Sequence, residues 1–236
     1  MSTPRTLAPT RQLLPPRRQP PLPRRSFITL PSPPPQTLTA ARRLPYAHTH
    51  LYDLVADVDS YVSFLPYCQT SRVTHWTSGP SPSDPSSASR RWPTRADLTA
   101  GWGGFQETYT SRLFCVPSLG IVEAISGDAR TEIPVSELQK HGLSDPDPGP
   151  VIGGGAGGDG GVFKSLVTRW TVSPAADGAG WSDVRLSIKY QFANPLYMAV
   201  SSAVADKVAP VMVEAFVERA KRILGEAGKK NAEVLR

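Results

Sequence analysis

The chain has few of the residues from which reactive or metal-binding centres are built. Among 236 residues there are two cysteines, four histidines and three methionines. Cys68 and Cys115 are far apart and have no metal-ligand spacing. That excludes a cysteine-rich zinc fold and fits a reducing compartment, with a single disulfide left open. His48 and His50 are the one close histidine pair. No neighbouring cluster completes a metal site around them, so they read as exposed residues near a helix start. Gly-x-Ser-x-Gly is missing, and neither a Ser/His/Asp set nor paired carboxylates on one strand face can be assigned. The Gly-rich stretch 142–161 lacks a Gly-Lys-Ser/Thr ending, and a strand follows it, which excludes a phosphate-binding loop. No apolar run approaches the roughly 18 residues of a transmembrane helix, so any membrane contact is peripheral.

Residues 1–45 contain no lysine, aspartate or glutamate, yet they hold eight arginines, at 5, 11, 17, 18, 24, 25, 42 and 43. Removing that +8 from the whole-chain +6 leaves −2 for residues 46–236. The high isoelectric point therefore belongs to the leader, and a basic nucleic-acid-binding domain is a poor inference. An Arg-rich, acid-free N-terminus resembles a mitochondrial transit peptide, with Arg24-Arg25-Ser26-Phe27 as a processing neighbourhood. Its many prolines depart from an amphipathic helix and suit a Pro/Arg linker as well.

What is present is a long amphipathic stretch from Pro195 to Leu224. Val200, Val204, Val208, Val211, Met212, Ala215, Phe216 and Ile223 recur at helical steps, with Asp206, Lys207, Glu214, Glu218 and Lys221 off the stripe. Pro210 interrupts it and should kink or split the helix. The segments before it alternate like strands. The run 39–47 is a first strand confined by Pro45 to an edge or a strand end. Thr49 is expected to cap a short helix over 50–58, and Ser60 to open a second one stopped by Pro66. Cys68 to Trp76 is a strand. The Ser/Pro-rich segment 77–93 is a loop ending in Arg90, Arg91 and Trp92, which suit a solvated loop end or an anionic membrane surface. Beyond it, Ala96, Leu98, Ala100 and Trp102 share a face, and Gly101, Gly103 and Gly104 suggest a bulge or bend. From Phe105 the inward parity takes in Glu107, Tyr109, Ser111 and Leu113. Either a bulge flips the register there, or the Glu107 carboxylate faces the interior. Ile121 to Ser126 and the region from Val162 to Val172 are further strands. Residues 142–161 are a disordered insertion. The cleanest alternation is Val184, Leu186, Ile188, Tyr190 and Phe192, one dry face of a single antiparallel sheet backed by a helix.

Several pieces of the chain resemble, in order, the mitochondrial coenzyme Q-binding proteins of the START-like, or helix-grip, superfamily. They are Arg43-Leu44-Pro45-Tyr46, Leu51-Tyr52, Val55-Ala56-Asp57-Val58, Tyr61, Phe64-Leu65-Pro66, Cys68, Ala96-Asp97-Leu98, residues 105–112, Trp170, Phe192, Pro195-Leu196-Tyr197 and residues 215–220. The resemblance covers about residues 42 to 225 apart from two loops. It implies an α+β fold: a curved antiparallel sheet of about seven strands around the C-terminal helix, with two short helices after the first strand. It also implies a lipid-sized tunnel that binds ubiquinone or a polyprenylated intermediate. The implied role is a carrier or chaperone supporting respiration and ubiquinone biosynthesis, with no catalytic cofactor. Such a protein sits peripherally on the matrix side of the mitochondrial inner membrane, beside respiratory or quinone-biosynthesis complexes, without nucleic acid.

The expected organisation is a leader over 1–38, one domain over 39–225 and a charged tail over 226–236. Candidate tunnel residues are Leu51, Val55, Phe64, Leu65, Pro66, Leu98, Tyr109, Leu186, Ile188, Tyr190, Val204, Val208, Met212 and Phe216, each of which suits ordinary core equally. Glu107 is the candidate head-group contact. Two rivals share the fold. One is a cyclase- or aromatase-like enzyme using Glu107, Tyr109 and Tyr190. The other is a ribosome-associated module of the kind described for bacterial members, which the acidic balance of residues 46–236 disfavours although the C-terminal tail holds a modest basic excess.

Overall fold

The alternating segments pair into one seven-stranded antiparallel sheet, and the C-terminal helix lies along it. The structure is a computed structural model. It describes residues 34–77, 90–102, 105–144, 163–176, 180–193 and 196–225, with the side chains of Trp102, Phe105 and residues 196–205 outside the description. The leader, the tail 226–236 and most of both long loops thus lie outside the described residues. The strands are β1 (Gln36–Leu44), β2 (Cys68–Trp76), β3 (Pro93–Trp102), β4 (Phe105–Val116), β5 (Ile121–Gly127), β6 (Phe163–Pro174) and β7 (Ser182–Phe192), in sheet order β1-β7-β6-β5-β4-β3-β2. Strands β2 to β7 form a meander. β1 joins its far edge, so the chain must cross from one edge to the other before β2. It does so through helix α1 (His48–Ala56) and a 3-10 turn (Val58–Ser63).

Local chemistry explains most boundaries and corrects several expectations. β1 starts at Gln36, before the expected strand at 39, because its backbone pairs with β7 from Gln36↔Tyr190 onward. Thr49 is not a cap. α1 begins two residues before the expected start, at His48 after Ala47, with no side-chain cap. Ser60 does not open the second helix but sits within the 3-10 turn, its Oγ donating to Asp57 Oδ2 at 2.5 Å. Gly101 makes no bulge between β3 and β4. Pairing is continuous from Arg95↔Arg112 to Trp102↔Phe105, and Gly103 and Gly104 lie outside the described residues. The register shifts fall instead between β2 and β3 and at the start of β6, where extra residues increase the local twist.

Helix α3 (Leu196–Leu224) runs unbroken through Pro210, whose ring is exposed. The apolar stripe docks from the residue before the proline onward: Ala209, Val213, Phe216, Val217 and Ala220 are buried against α1 and the sheet. Each large side chain so buried stabilises by about 1.5–3 kcal/mol. Three polar ties reinforce that half. Tyr46 Oη donates to the Gly225 carbonyl at 2.7 Å. Arg42 pairs with Glu214. Arg219, itself buried, donates to Asp57 Oδ2 at 2.8 Å and Ser63 Oγ at 3.1 Å and stacks on the Phe64 ring at 4.6 Å.

The sheet also has a second, outward cluster that no alternation in the sequence announces. A short helix, α2 (Val135–Lys140), covers Phe114, Val116 and Ile125 with Ile133, Leu138 and Leu143. Gly142 closes α2 in the left-handed conformation at φ +65°, so the Leu143 N–H returns to the Leu138 carbonyl. Leu143 falls in the stretch expected to be a disordered insertion, yet it is buried core. Nearby, Glu123 is 0% exposed and accepts from Thr131 and Arg169, which explains a carboxylate in a β-strand core.

Candidate functional site

Antiparallel register decides which side chains share the inner face. On β3 and β4 the pairs Ala96↔Ser111, Leu98↔Tyr109 and Ala100↔Glu107 stand on one side. On β4 to β7 the inner row continues through Leu113↔Ala124, Ala124↔Thr168 and Thr168↔Ile188. With no break in this register, Glu107 lies on the inner face beside Tyr109, half-buried.

The inner face is covered unequally. At one end α1 and α3 close it: Leu51, Val55, Cys115, Trp170, Val172, Val184, Leu186 and Phe216 are nearly or wholly buried in one cluster. Next to β2, the 3-10 turn closes it with Val58, Tyr61 and Leu65, and the Ser71 hydroxyl donates to the Val58 carbonyl at 2.6 Å. Between these plugs the coverage is incomplete. Phe64, Leu98, Tyr109, Ala124, Thr168, Val208 and Met212 point inward or pack on the clusters, yet keep part of their surface. A fully packed core leaves such apolar residues dry. This band of half-covered apolar surface, across β3 to β6 and under α3, is the candidate binding groove.

The candidate residues therefore divide. Leu98, Tyr109, Val208, Met212 and Phe64 come together along the groove. Leu51, Val55, Leu186 and Phe216 are brought together as its packed end, and Ile188 and Tyr190 are buried on β7 beside it. Leu65 is buried under the 3-10 turn, and Pro66 is half-buried in the turn after it. The side chain of Val204 lies outside the described residues. Ala124, Thr168, Ser111 and Ser126 also belong to the inner face, and sequence reasoning misses them as candidates. Small and hydroxyl residues carry little hydropathy signal; strand parity already turns Ser111 inward, but only the register brings the four together.

Burial keeps the phenols and the thiol around the groove in their neutral forms. Burial pushes the Tyr109 phenol up to about 12, helped by Cys68 and Glu107. Burial raises Tyr190 as well, and its hydroxyl is spent on Gln36 Oε1 at 2.7 Å. Burial also drives the Cys115 thiol to about 12, and both cysteines are free. No group of three potential metal ligands occurs among the described residues, and His48 and His50 are exposed. The loop-end triplet does not present its tryptophan to a surface. Trp92 is buried edge-on against Tyr52, and Arg90 stacks on it at 4.4 Å while pairing with Asp53 at 2.7 Å. No helix among the described residues is long and apolar enough to cross a membrane.

Comparison with known proteins agrees with this architecture. The chain is 29% identical over 182 residues to the mitochondrial coenzyme Q-binding protein of Schizosaccharomyces pombe, covering 77% of this chain and 85% of that one. It is 26% identical to the ribosome association toxin of Pseudomonas aeruginosa, covering 77% and 93%. A START superfamily protein from Mycobacterium smegmatis superposes with a TM-score of 0.52 at 10% identity, over 79% of this chain and 98% of that one, a likeness of fold alone. The family model described as "Polyketide cyclase / dehydrase and lipid transport" matches residues 44–132 and 158–217, more than half the chain, and the chain belongs to that family, with its START-like helix-grip fold.

Proposed function

We propose that this protein binds coenzyme Q, or a polyprenylated intermediate of it, in the groove between the inner sheet face and α3, and carries it rather than transforming it. The observation that carries this reading is the band of incompletely covered apolar side chains, Leu98, Tyr109, Ala124, Val208 and Met212, between two packed ends. A polyprenyl tail leaves water with about 0.8 kcal/mol per buried methylene. Moving it from a bilayer to an apolar groove exchanges one oily environment for another, so loading and release at a membrane are both near balance. The names of the curated relatives supply the head group, and the acid-free leader supports a mitochondrial location. Peripheral action at the matrix side of the inner membrane, beside respiratory or biosynthetic complexes, follows from that reading.

Carriage is favoured over cyclase-like catalysis by the phenols. A general acid or base works best with a pKa near the operating pH. Burial moves Tyr109 the other way, to about 12, and Tyr190 is also raised. The basic tail offers less to a ribosome than its composition implies, since Arg219 is buried and Lys221 pairs with Glu218 at 2.8 Å.

The test is organic extraction and mass spectrometry of the protein purified from its own cells. The expected result is stoichiometric ubiquinone, lost in Leu98→Trp, which fills the groove without adding charge. An empty protein, or one carrying only phospholipid, would overturn the coenzyme Q reading.

A further inference from the structure

Among the described residues, the inner face holds a hydroxyl pair that packing does not account for. Ser111 on β4 and Ser126 on β5 are hydrogen-bonded across the strands at 2.8 Å, and they are 2% and 8% exposed. Among the described residues neither hydroxyl has another partner. Two hydroxyls carry two protons. One proton lies in the bond between them; the other has no acceptor. A buried donor without an acceptor is costly, and such groups in native proteins call for an explanation.

The surroundings supply one. Both serines lie on the groove side of the sheet, next to Tyr109 and Leu113 on β4 and Ala124 on β5. Ala124 has no bulk beyond its Cβ, so the face is recessed beside the hydroxyls, and the larger Leu98, Tyr109 and Met212 pack on the clusters around it. A flat ring fits such a depression better than a branched chain does.

We infer that the Ser111–Ser126 pair is a recognition site for a ring carbonyl oxygen, its surplus proton donated to one carbonyl of a quinone or related cyclic ketone lying over Ala124. The inference rests on the quinone-carrier reading and deepens it, because it names the residues that distinguish a quinone from a bare isoprenoid chain. It also moves the head-group contact from Glu107 to the two serines. Other inner-face hydroxyls, of Thr168 and Tyr109, border the same place without being required.

The experiment compares two probes on the full chain, a short-tailed ubiquinone and an isoprenoid hydrocarbon of the same tail length without the ring. The variant is Ser111→Ala/Ser126→Ala, in which both partners are replaced by apolar groups, a change that is close to neutral for folding. The wild type should prefer the quinone, and the double variant should lose about fivefold of that preference with the hydrocarbon unaffected. An unchanged preference overturns the serine site while the carrier reading stands. Equal weakening of both probes means a packing defect and also overturns the site. A wild type that binds the hydrocarbon but not the quinone overturns the carrier reading itself. Should the double variant not fold, infrared spectroscopy of a carbon-13-labelled quinone decides. The bound carbonyl stretch should fall below its value in an alkane in the wild type. An unshifted band in the wild type refutes the hydrogen bond.

Discussion

Arg219 should be the strongest single polar tie between α3 and the rest of the fold. Its guanidinium makes one hydrogen bond to Asp57 and one to Ser63, and lies over the Phe64 ring. Asp57 is 46% exposed, so the ionic part is screened and contributes about 1 kcal/mol rather than the larger value of a dry pair. The stacked, desolvated guanidinium and the packing of its aliphatic stem contribute about another 1 kcal/mol. Against this, Arg219 Nε is buried with no partner among the described residues, a cost that truncation relieves in part. The net expectation for Arg219→Ala is about 1.5 kcal/mol of destabilisation. For a domain of this size that corresponds to a fall in Tm of about 4 °C. Arg219→Lys should recover little, because an ammonium cannot fork to two acceptors and stack at once. Urea unfolding of Arg219→Ala, Asp57→Asn and the double variant gives the coupling directly, expected at about 1 kcal/mol. A loss below about 0.5 kcal/mol for Arg219→Ala, or full additivity with Asp57→Asn, would refute the assignment of α3 docking to this cluster.

Three further outcomes are expected. Gly120→Ala should destabilise by ~3 kcal/mol or more, seen as a lowered urea midpoint, because φ is +62° and an added Cβ would meet the Val172 carbonyl oxygen at 1.9 Å; a midpoint equal to wild type would contradict the turn geometry. Native alkylation at pH 8 should modify Cys68 slowly and leave Cys115 intact until the protein unfolds, since burial raises both thiols and Cys115 is fully covered; two modifications in native protein would count against the packed end of the groove. Hydrogen bonding from Lys189 holds the Glu132 carboxyl below its ordinary range. A lowered carboxylate stabilises fully above its unfolded pKa, and that contribution is lost as pH falls through the folded value. Glu132→Gln should therefore flatten the acid limb of the stability curve below about pH 4, with the difference shrinking at high salt; an unchanged acid limb would remove the pair from the account.

The elements legible in the chain are those with a strong single period. β7 alternates without interruption, and the parity of its inner residues, Val184 to Phe192, is plain from the letters alone. The start of α3 is legible to within a residue from Pro195 and the apolar stripe that follows it, although Val211 and Ile223, counted in that stripe, are exposed. Expectation and structure part where a short-range cue competes with a long-range one. Thr49 has the right chemistry for a cap, but the chain enters α1 from β1 with Ala47 at the cap position. The glycines after Ala100 suggest a bulge, whereas strand pairing runs through Gly101 without a shift. Trp92 beside two arginines suggests a surface, but Tyr52, 40 positions earlier, covers it. α2 is not legible because six residues carry too little periodicity to separate a helix from a loop.

By itself the sequence determined the helix that covers the sheet and the parity of the inner face, since both depend on patterns repeated along the chain, while the fold class and the family were legible through the ordered resemblance of its pieces to known proteins. Which inner residues are wall and which are filling was decided only in three dimensions. Leu51, Leu186, Leu98 and Met212 look alike as letters, yet α1 and α3 close over the first two and leave the second two partly bare. The same holds for Ser111 and Ser126, 15 positions apart, whose pairing and surplus proton exist only because β4 and β5 lie side by side. Coverage and cross-strand contact are relations between elements distant in sequence, and the alternation of a single strand contains no information about what lies above it.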